Sequence, residues 1–326
     1  MESHSFDSLA GQGAVTFLWL EITEKCNLAC GHCYAESSPH RSLEGAMALD
    51  DWIALLDEAA EMGVRGVQFI GGEPTLHPHF ETLLRHAASL GLEELEVYTN
   101  ATRLNPAMIR LIRDCGAKVA TSFYAAEADV HDKVTTRLGS FRRTVAGIEN
   151  VLAADIPLRV GIVETTANRG HVGPAVKLLE QLGVTRIGVD GERGVGRGAK
   201  DGKHEGEDFT QLCGQCWRSR ACVVASGDIY PCVFSRNTII GNARQGLQAA
   251  LESRALGEFT VKLQAEEARR ATRMDCDPYL PCNPQICQPQ MNCQPNRFCS
   301  PDNQCTPHLA VHDATGVANA GPGTVQ

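Results

Sequence analysis

The chain has 326 residues, 43% of them apolar, fourteen cysteines and a formal charge of −9 at pH 7. That length suits one large domain, or one with a smaller appendage, and the acidic balance argues against a dedicated nucleic-acid binder, which would present a basic face. No apolar run approaches the roughly 20 residues that cross a bilayer, and Met1–Gly13 lacks the basic-then-apolar pattern of a secretory signal, so the expectation is a cytoplasmic protein that makes no membrane contact, with clustered cysteines serving as metal ligands rather than disulfides.

After a flexible N-terminus (1–14), residues 15–190 alternate short apolar runs with amphipathic stretches. Strands are expected at Phe17–Thr23, Gly66–Ile70, Glu94–Thr99, Lys118–Phe123, Leu158–Glu164 and Arg186–Val189. Helices are expected at Asp50–Met62, Pro78–Leu90, Asn105–Cys115, Phe141–Ala153 and His171–Leu182, with Gly63, Gly91, Gly116 and Gly183 as stops. Such alternation implies βαβ units and a parallel sheet. Without a dinucleotide fingerprint, the pattern reads as an α/β fold, a partial (β/α)6 barrel over 15–190. Residues 191–207, rich in Gly and charge, read as a linker or a loop over the barrel mouth. Residues 208–275 form a small Cys-rich extension with a hairpin turned at Ser226-Gly227 and a helix over Leu247–Arg270. Residues 276–307 repeat Cys-x-Pro, whose prolines forbid helix and central strand, and 308–326 read as a disordered tail.

Three cysteines, Cys26, Cys30 and Cys33, follow the first expected strand in a Cys-x3-Cys-x2-Cys spacing. At the carboxyl end of a barrel strand such a loop faces the side where barrel enzymes work. Three thiolates can hold three irons of a [4Fe–4S] cluster, leaving the fourth for the amino and carboxylate groups of S-adenosylmethionine (SAM). The alternatives are a zinc knuckle closed by His32, or plain surface cysteines. One βα unit later stands Gly71-Gly72-Glu73-Pro74. Paired glycines let a backbone approach a ligand closely, and Glu73 can accept a charge-assisted hydrogen bond from an ammonium.

Cys26–Tyr34 and Gly71–Pro74 resemble the radical SAM superfamily. The resemblance implies a partial barrel, a SAM-binding cluster on the three cysteines, and SAM cleavage to a 5′-deoxyadenosyl radical that takes a hydrogen atom from a substrate. It also implies that Tyr34 packs by the cluster and that Thr99-Asn100, Ser122 and Glu164, at successive strand ends, contact SAM.

Cys213, Cys216, Cys222 and Cys232 form a second group that could close a tetrahedral set around zinc or an iron–sulfur centre. The run Ser226–Cys232 resembles the opening of the SPASM or twitch extension of radical SAM enzymes. By that resemblance Cys216 and Cys232 hold an auxiliary [4Fe–4S] cluster, completed by Cys213, Cys222 or Cys276. The later Cys-x-Pro repeat departs from the SPASM pattern. His77 and His79 read as loop punctuation, Cys115 as a small buried side chain, and Arg193 and Arg197 as contacts to SAM or an acidic substrate, or as a solvated loop.

The resemblance implies oxidoreductase chemistry on a ribosomally made peptide: crosslinking, epimerisation or oxidation, with an electron donor such as flavodoxin or ferredoxin. No winged-helix peptide-recognition domain precedes the first strand, so a separate recognition protein is a further expected partner. The alternatives are a small-molecule dehydrogenase or decarboxylase, and a non-catalytic iron–sulfur or zinc scaffold.

Overall fold

A computed structural model describes residues 15–199, 206–213, 219–272 and 310–313. Cys216, Cys276 and the Cys-x-Pro repeat lie outside the described residues.

Strands β1 (Phe17–Glu21), β2 (Gly66–Ile70), β3 (Glu94–Tyr98), β4 (Lys118–Phe123), β5 (Leu158–Glu164) and β6 (Arg186–Gly191) stand side by side in sequence order, all parallel. The crossovers carry helices α1 (Leu49–Glu61), α2 (Phe80–Ser89), α3 (Pro106–Asp114), α4 (Ala128–Thr135), α5 (Ser140–Ala153) and α6 (Val172–Gln181). Each expected element is present within about two residues of its ends, as the usual fraying of boundaries allows. Helix α4 is the addition.

Neighbours across parallel strands share a face, so Leu18 and Val67, like Leu20, Phe69 and Val97, form one apolar layer. They join a single core with Trp52, Leu55, Leu83, Leu84 and Ile112 of the helices, all buried. Burial of each such side chain contributes about 1.5–3 kcal/mol. The opposite face carries a buried polar cluster. Arg159 donates from Nε and Nη2 to the Glu96 carboxylate at 2.7 Å each, Gln68 donates to the same carboxylate, and the guanidinium stacks 5.4 Å over Tyr98. Removing one partner of such a buried bidentate pair costs about 3–5 kcal/mol.

The sheet stays open. Outside β1 lies β7 (Arg220–Val224), paired in parallel, followed by the antiparallel β8 (Asp228–Tyr230) and β9 (Gly241–Asn242). The hairpin of the extension therefore continues the barrel's own sheet. Helices α7 (Leu247–Leu251) and α8 (Arg254–Thr272) follow. On the far side β10 (Ala310–Asp313) pairs antiparallel with β6. This segment was expected in a disordered tail; the open edge of β6 offers unpaired backbone groups that a passing strand can take. Among the described residues no helix is long and apolar enough to cross a membrane.

Candidate active site

The carboxyl ends of the parallel strands surround a cavity of about 1170 Å³, including open space at its mouth. Cys26, Cys30 and Cys33 line it together with Gly71, Gly72 and Asn100.

Backbone contacts hold the cysteine loop in place. The amide of Gly72 donates to Thr23 O at 2.6 Å and that of Glu73 to Lys25 O at 2.9 Å. A Cβ on Gly71 would sit 2.5 Å from Thr23 O, and one on Gly72 2.3 Å from Lys25 O. The glycine pair thus permits a backbone-to-backbone contact with the lead-in to the cysteine loop, besides lining the cavity. The close approach expected to serve a ligand serves the loop first.

From the other side the Gly-rich run after β6 folds back onto the loop. Arg197 donates its amide to Cys33 O at 3.1 Å, Nε to Cys30 O and Nη2 to Ser37 O at 2.8 Å each. Gly196, at φ 59°, lies so close that a Cβ would meet Tyr34 O at 2.2 Å. Residues 191–199, expected as a linker or mouth loop, are a clamp on the cysteines, and Arg197 lines the cavity. Nothing in the local sequence signals this, because the partners lie some 160 residues away.

Ionising these thiols on their own is costly. Burial, then the charge of Glu73, pushes Cys26 up to about 12, and burial with the two neighbouring thiols pushes Cys30 well above the usual range. A bound cation reverses this penalty, since coordination stabilises thiolates outright. Among the described residues no three Cys, His, Asp or Glu side chains converge on one ion-sized position. Five residues lining the cavity carry buried polar atoms without a partner: His32 Nδ1, Tyr34 OH, Ser37 Oγ, His131 Nε2 and Arg193 Nε. Buried polar groups are normally paired, so their gathering on one cavity fits a polar occupant.

Glu73 differs from expectation. Its carboxylate is fully buried and accepts from Thr75 N at 3.2 Å, Thr75 Oγ1 and Thr99 Oγ1 at 2.6 Å each, and Asn100 N at 2.8 Å. It is not among the cavity-lining residues. Burial raises its pKa against those hydrogen bonds. Glu73 thus stands behind the wall and positions Thr99 and Asn100. Asn100 in turn donates Nδ2 to Asn27 Oδ1 at 2.9 Å and reaches Cys26 Sγ at 3.7 Å. Pro74 is buried at the start of a short 3-10 turn. Ser122 lines the cavity, its hydroxyl 3.0 Å from Tyr98 OH. Glu164 does not: Gly161 and Val163 line the cavity from β5, and strand alternation puts Glu164 on the other face.

Tyr34 packs edge-on against Phe234 at 5.3 Å, with the Arg236 guanidinium 4.9 Å over its ring. Arg236 forms a buried ion pair with Glu21, and the Cys222 thiol donates to the same carboxylate at 3.7 Å. Cys222 is fully buried in β7 opposite Trp19, and burial, then Glu21, raises its pKa well above the ordinary value. Cys232 is buried just past β8, its sulfur accepting from Phe234 N at 3.3 Å, and Cys213 is half-buried. His77 and His79 pair with each other, Nδ1 of His77 accepting from His79 N at 3.2 Å, away from the cavity. Cys115 caps α3, half-buried. Sequence reasoning missed His131, Thr135 and Tyr124, all of which line the cavity.

Residues 20–168 match the sequence profile of the Radical SAM superfamily. The matched stretch is a little under half of the chain. The chain is 28% identical over 193 residues to the AdoMet-dependent heme synthase of Methanosarcina barkeri, covering 59% of this chain and 55% of the relative. It is 34% identical over 175 residues to the PqqA peptide cyclase of Methylocella silvestris, covering 53% and 46%. The chain thus spans about half the length of these curated relatives. In fold it resembles Streptococcus suis SuiB bound to S-adenosylmethionine, with a TM-score of 0.62 at 15% identity over 76% of this chain and 68% of SuiB. SuiB has also been solved with its precursor peptide SuiA.

Proposed function

We propose that the chain is a radical SAM oxidoreductase that modifies a ribosomally made peptide by crosslinking, epimerisation or oxidation. Cys26, Cys30 and Cys33 hold a [4Fe–4S] cluster, and Gly71, Gly72, Asn100 and Ser122 bind SAM, with Glu73 fixing Asn100 from behind. When bound and reduced, the cluster would supply one electron to the SAM sulfonium, breaking a carbon–sulfur bond to give methionine and a 5′-deoxyadenosyl radical for hydrogen-atom abstraction. The chain's own residues fix the cysteine loop (Arg197, Gly71-Gly72), seat Tyr34 beside it and place buried polar groups on the cavity wall. The observation that carries this reading is the three loop cysteines on one wall of a cavity rimmed with partnerless buried polar atoms.

An auxiliary [4Fe–4S] cluster in a SPASM-like extension belongs to the same proposal. Cys216 and Cys232 hold it, completed by Cys213 or Cys276; Cys222, committed to the β1 side of the sheet and to Glu21, stays a core thiol. Held there, such a centre would supply an acceptor for the electron left after hydrogen abstraction, and a flavodoxin or ferredoxin would supply the first one. A separate protein delivers the peptide. The peptide substrate is supported by the likeness to PqqA peptide cyclase and to peptide-bound SuiB, and the match to a heme synthase favours a small-molecule substrate as the second reading. Co-expression with the short peptide encoded nearest the gene, followed by mass spectrometry, tests the first: loss of two hydrogens, or uptake of one solvent deuterium, is expected. An unaltered peptide under conditions where SAM is consumed would move the substrate to the small-molecule class.

A further inference from the structure

Helix α4 presents a polar buried face to the cavity. His131 is 1% exposed and lines the cavity beside Thr135. Its Nδ1 stands 3.2 Å from Ser140 Oγ; the Asp132 carboxylate, 2.8 Å away at Oδ1, can only accept, so Ser140 donates its one hydroxyl proton there and Thr135 Oγ1, at 2.6 Å, donates to Ser140. Asp132 is ionised, its pKa held down by hydrogen bonds from the amides of Phe141 and Gly139 and from Ser140 that outweigh its desolvation. With its proton spent, Ser140 Oγ can only accept from the ring, so Nδ1 carries the imidazole proton and Nε2 carries a lone pair. Burial lowers the His131 pKa to about 4, so the ring is neutral at neutral pH. Nε2 has no hydrogen-bond partner. A buried acceptor left unpaired costs about 1–3 kcal/mol, an expense the aromatic surroundings of Phe123, Tyr124 and Phe141 would avoid entirely with a phenyl ring in its place.

We propose that His131 is a ligand-binding residue of the cavity, its Nε2 lone pair accepting a hydrogen bond from an N–H or O–H donor of SAM. The inference rests on the reading of this cavity as the SAM site. SAM carries an ammonium and two ribose hydroxyls. The carboxylate expected to receive the ammonium, Glu73, is already filled by four protein donors. The depth of His131 favours an enclosed cofactor over a peptide at the cavity mouth. The relay Asp132–Ser140–His131 sets the tautomer: an anion at the start of α5 orients a hydroxyl, and the hydroxyl orients the ring.

The test is SAM affinity by equilibrium dialysis on the anaerobically reconstituted chain without reductant, so that nothing turns over. His131→Asn keeps a donor for Ser140 but removes the cavity acceptor. His131→Phe keeps the ring alone, and His131→Gln places an amide oxygen near the Nε2 position. The Kd is expected to rise about five- to tenfold for Asn and Phe, the weight of one hydrogen bond, and to stay within about twofold for Gln. The ligand-free Phe variant is expected to melt within about 3 °C of wild type, which a purely structural histidine would not allow. Unchanged affinity in both Asn and Phe variants overturns the proposal for His131 alone. So does a loss in all three that follows their loss of melting temperature. Absence of SAM binding in wild type overturns the reading of the cavity itself, and this inference with it.

Discussion

The two described cysteine groups are built in opposite ways. Cys26, Cys30 and Cys33 sit on a loop past the end of β1 and line a cavity; the Cys26 amide donates to Ser38 O, the Cys30 and Cys33 carbonyls accept from Arg197, and the intervening Ala29 and Gly31 amides donate to Thr135 O and Val134 O. Cys222 sits inside a strand, paired in register with Trp19 on one side and Tyr230 on the other. Cys232 lies just beyond β8, buried under Phe234. A thiol beyond a strand end can be aimed by its loop at a ligand. A thiol within a strand is aimed by the sheet, and its face is fixed by pairing. Spacing in sequence treats the two alike; strand position separates them.

The largest effect that would break this contrast is at Gly72. Gly72→Ala places a methyl against Lys25 O, so the loop lead-in must move. Overpacking of this kind costs about 3 kcal/mol, and the loop is expected to lose about four irons per chain, measured by iron analysis after reconstitution. Retention of the full iron complement would show that the cysteine loop does not depend on this backbone contact. A smaller effect divides the hairpin. Cys232→Ala is expected to remove about four of about eight irons. Cys222→Ala leaves iron unchanged and costs about 1 kcal/mol of stability, since Glu21 keeps its partner Arg236. Equal iron loss in the two variants would make the strand thiol a ligand and erase the distinction.

The barrel was legible because its strands are buried on both faces and its helices carry apolar stripes ended by glycine, features that repeat locally along the chain. The Cys-x3-Cys-x2-Cys loop and the glycine pair were legible for the same reason, as each is a short contiguous run. Helix α4 was not. Its buried residues are His131, Asp132, Val134 and Thr135, so the hydrophobic period that marks a helix is missing where a polar face is turned inward. The clamp by Gly196 and Arg197 joins segments far apart in the chain, and no local pattern encodes it. Glu73 shows a different limit: its place next to the glycines was evident, but its commitment to Thr75, Thr99 and Asn100 depends on β3 lying beside β2. Glu164 was misplaced by one residue of strand alternation, which suffices to move a side chain from the cavity to the opposite face.

The direct measurement is iron content together with 5′-deoxyadenosine formation in wild type and in Cys33→Ala, reconstituted anaerobically and reduced in the presence of SAM. The cysteine loop as SAM-cleaving centre requires 5′-deoxyadenosine from wild type, none from Cys33→Ala, and about four fewer irons per chain in the variant. Reduced wild-type protein with its full iron that makes no 5′-deoxyadenosine, or a Cys33→Ala protein that makes as much as wild type, would contradict it.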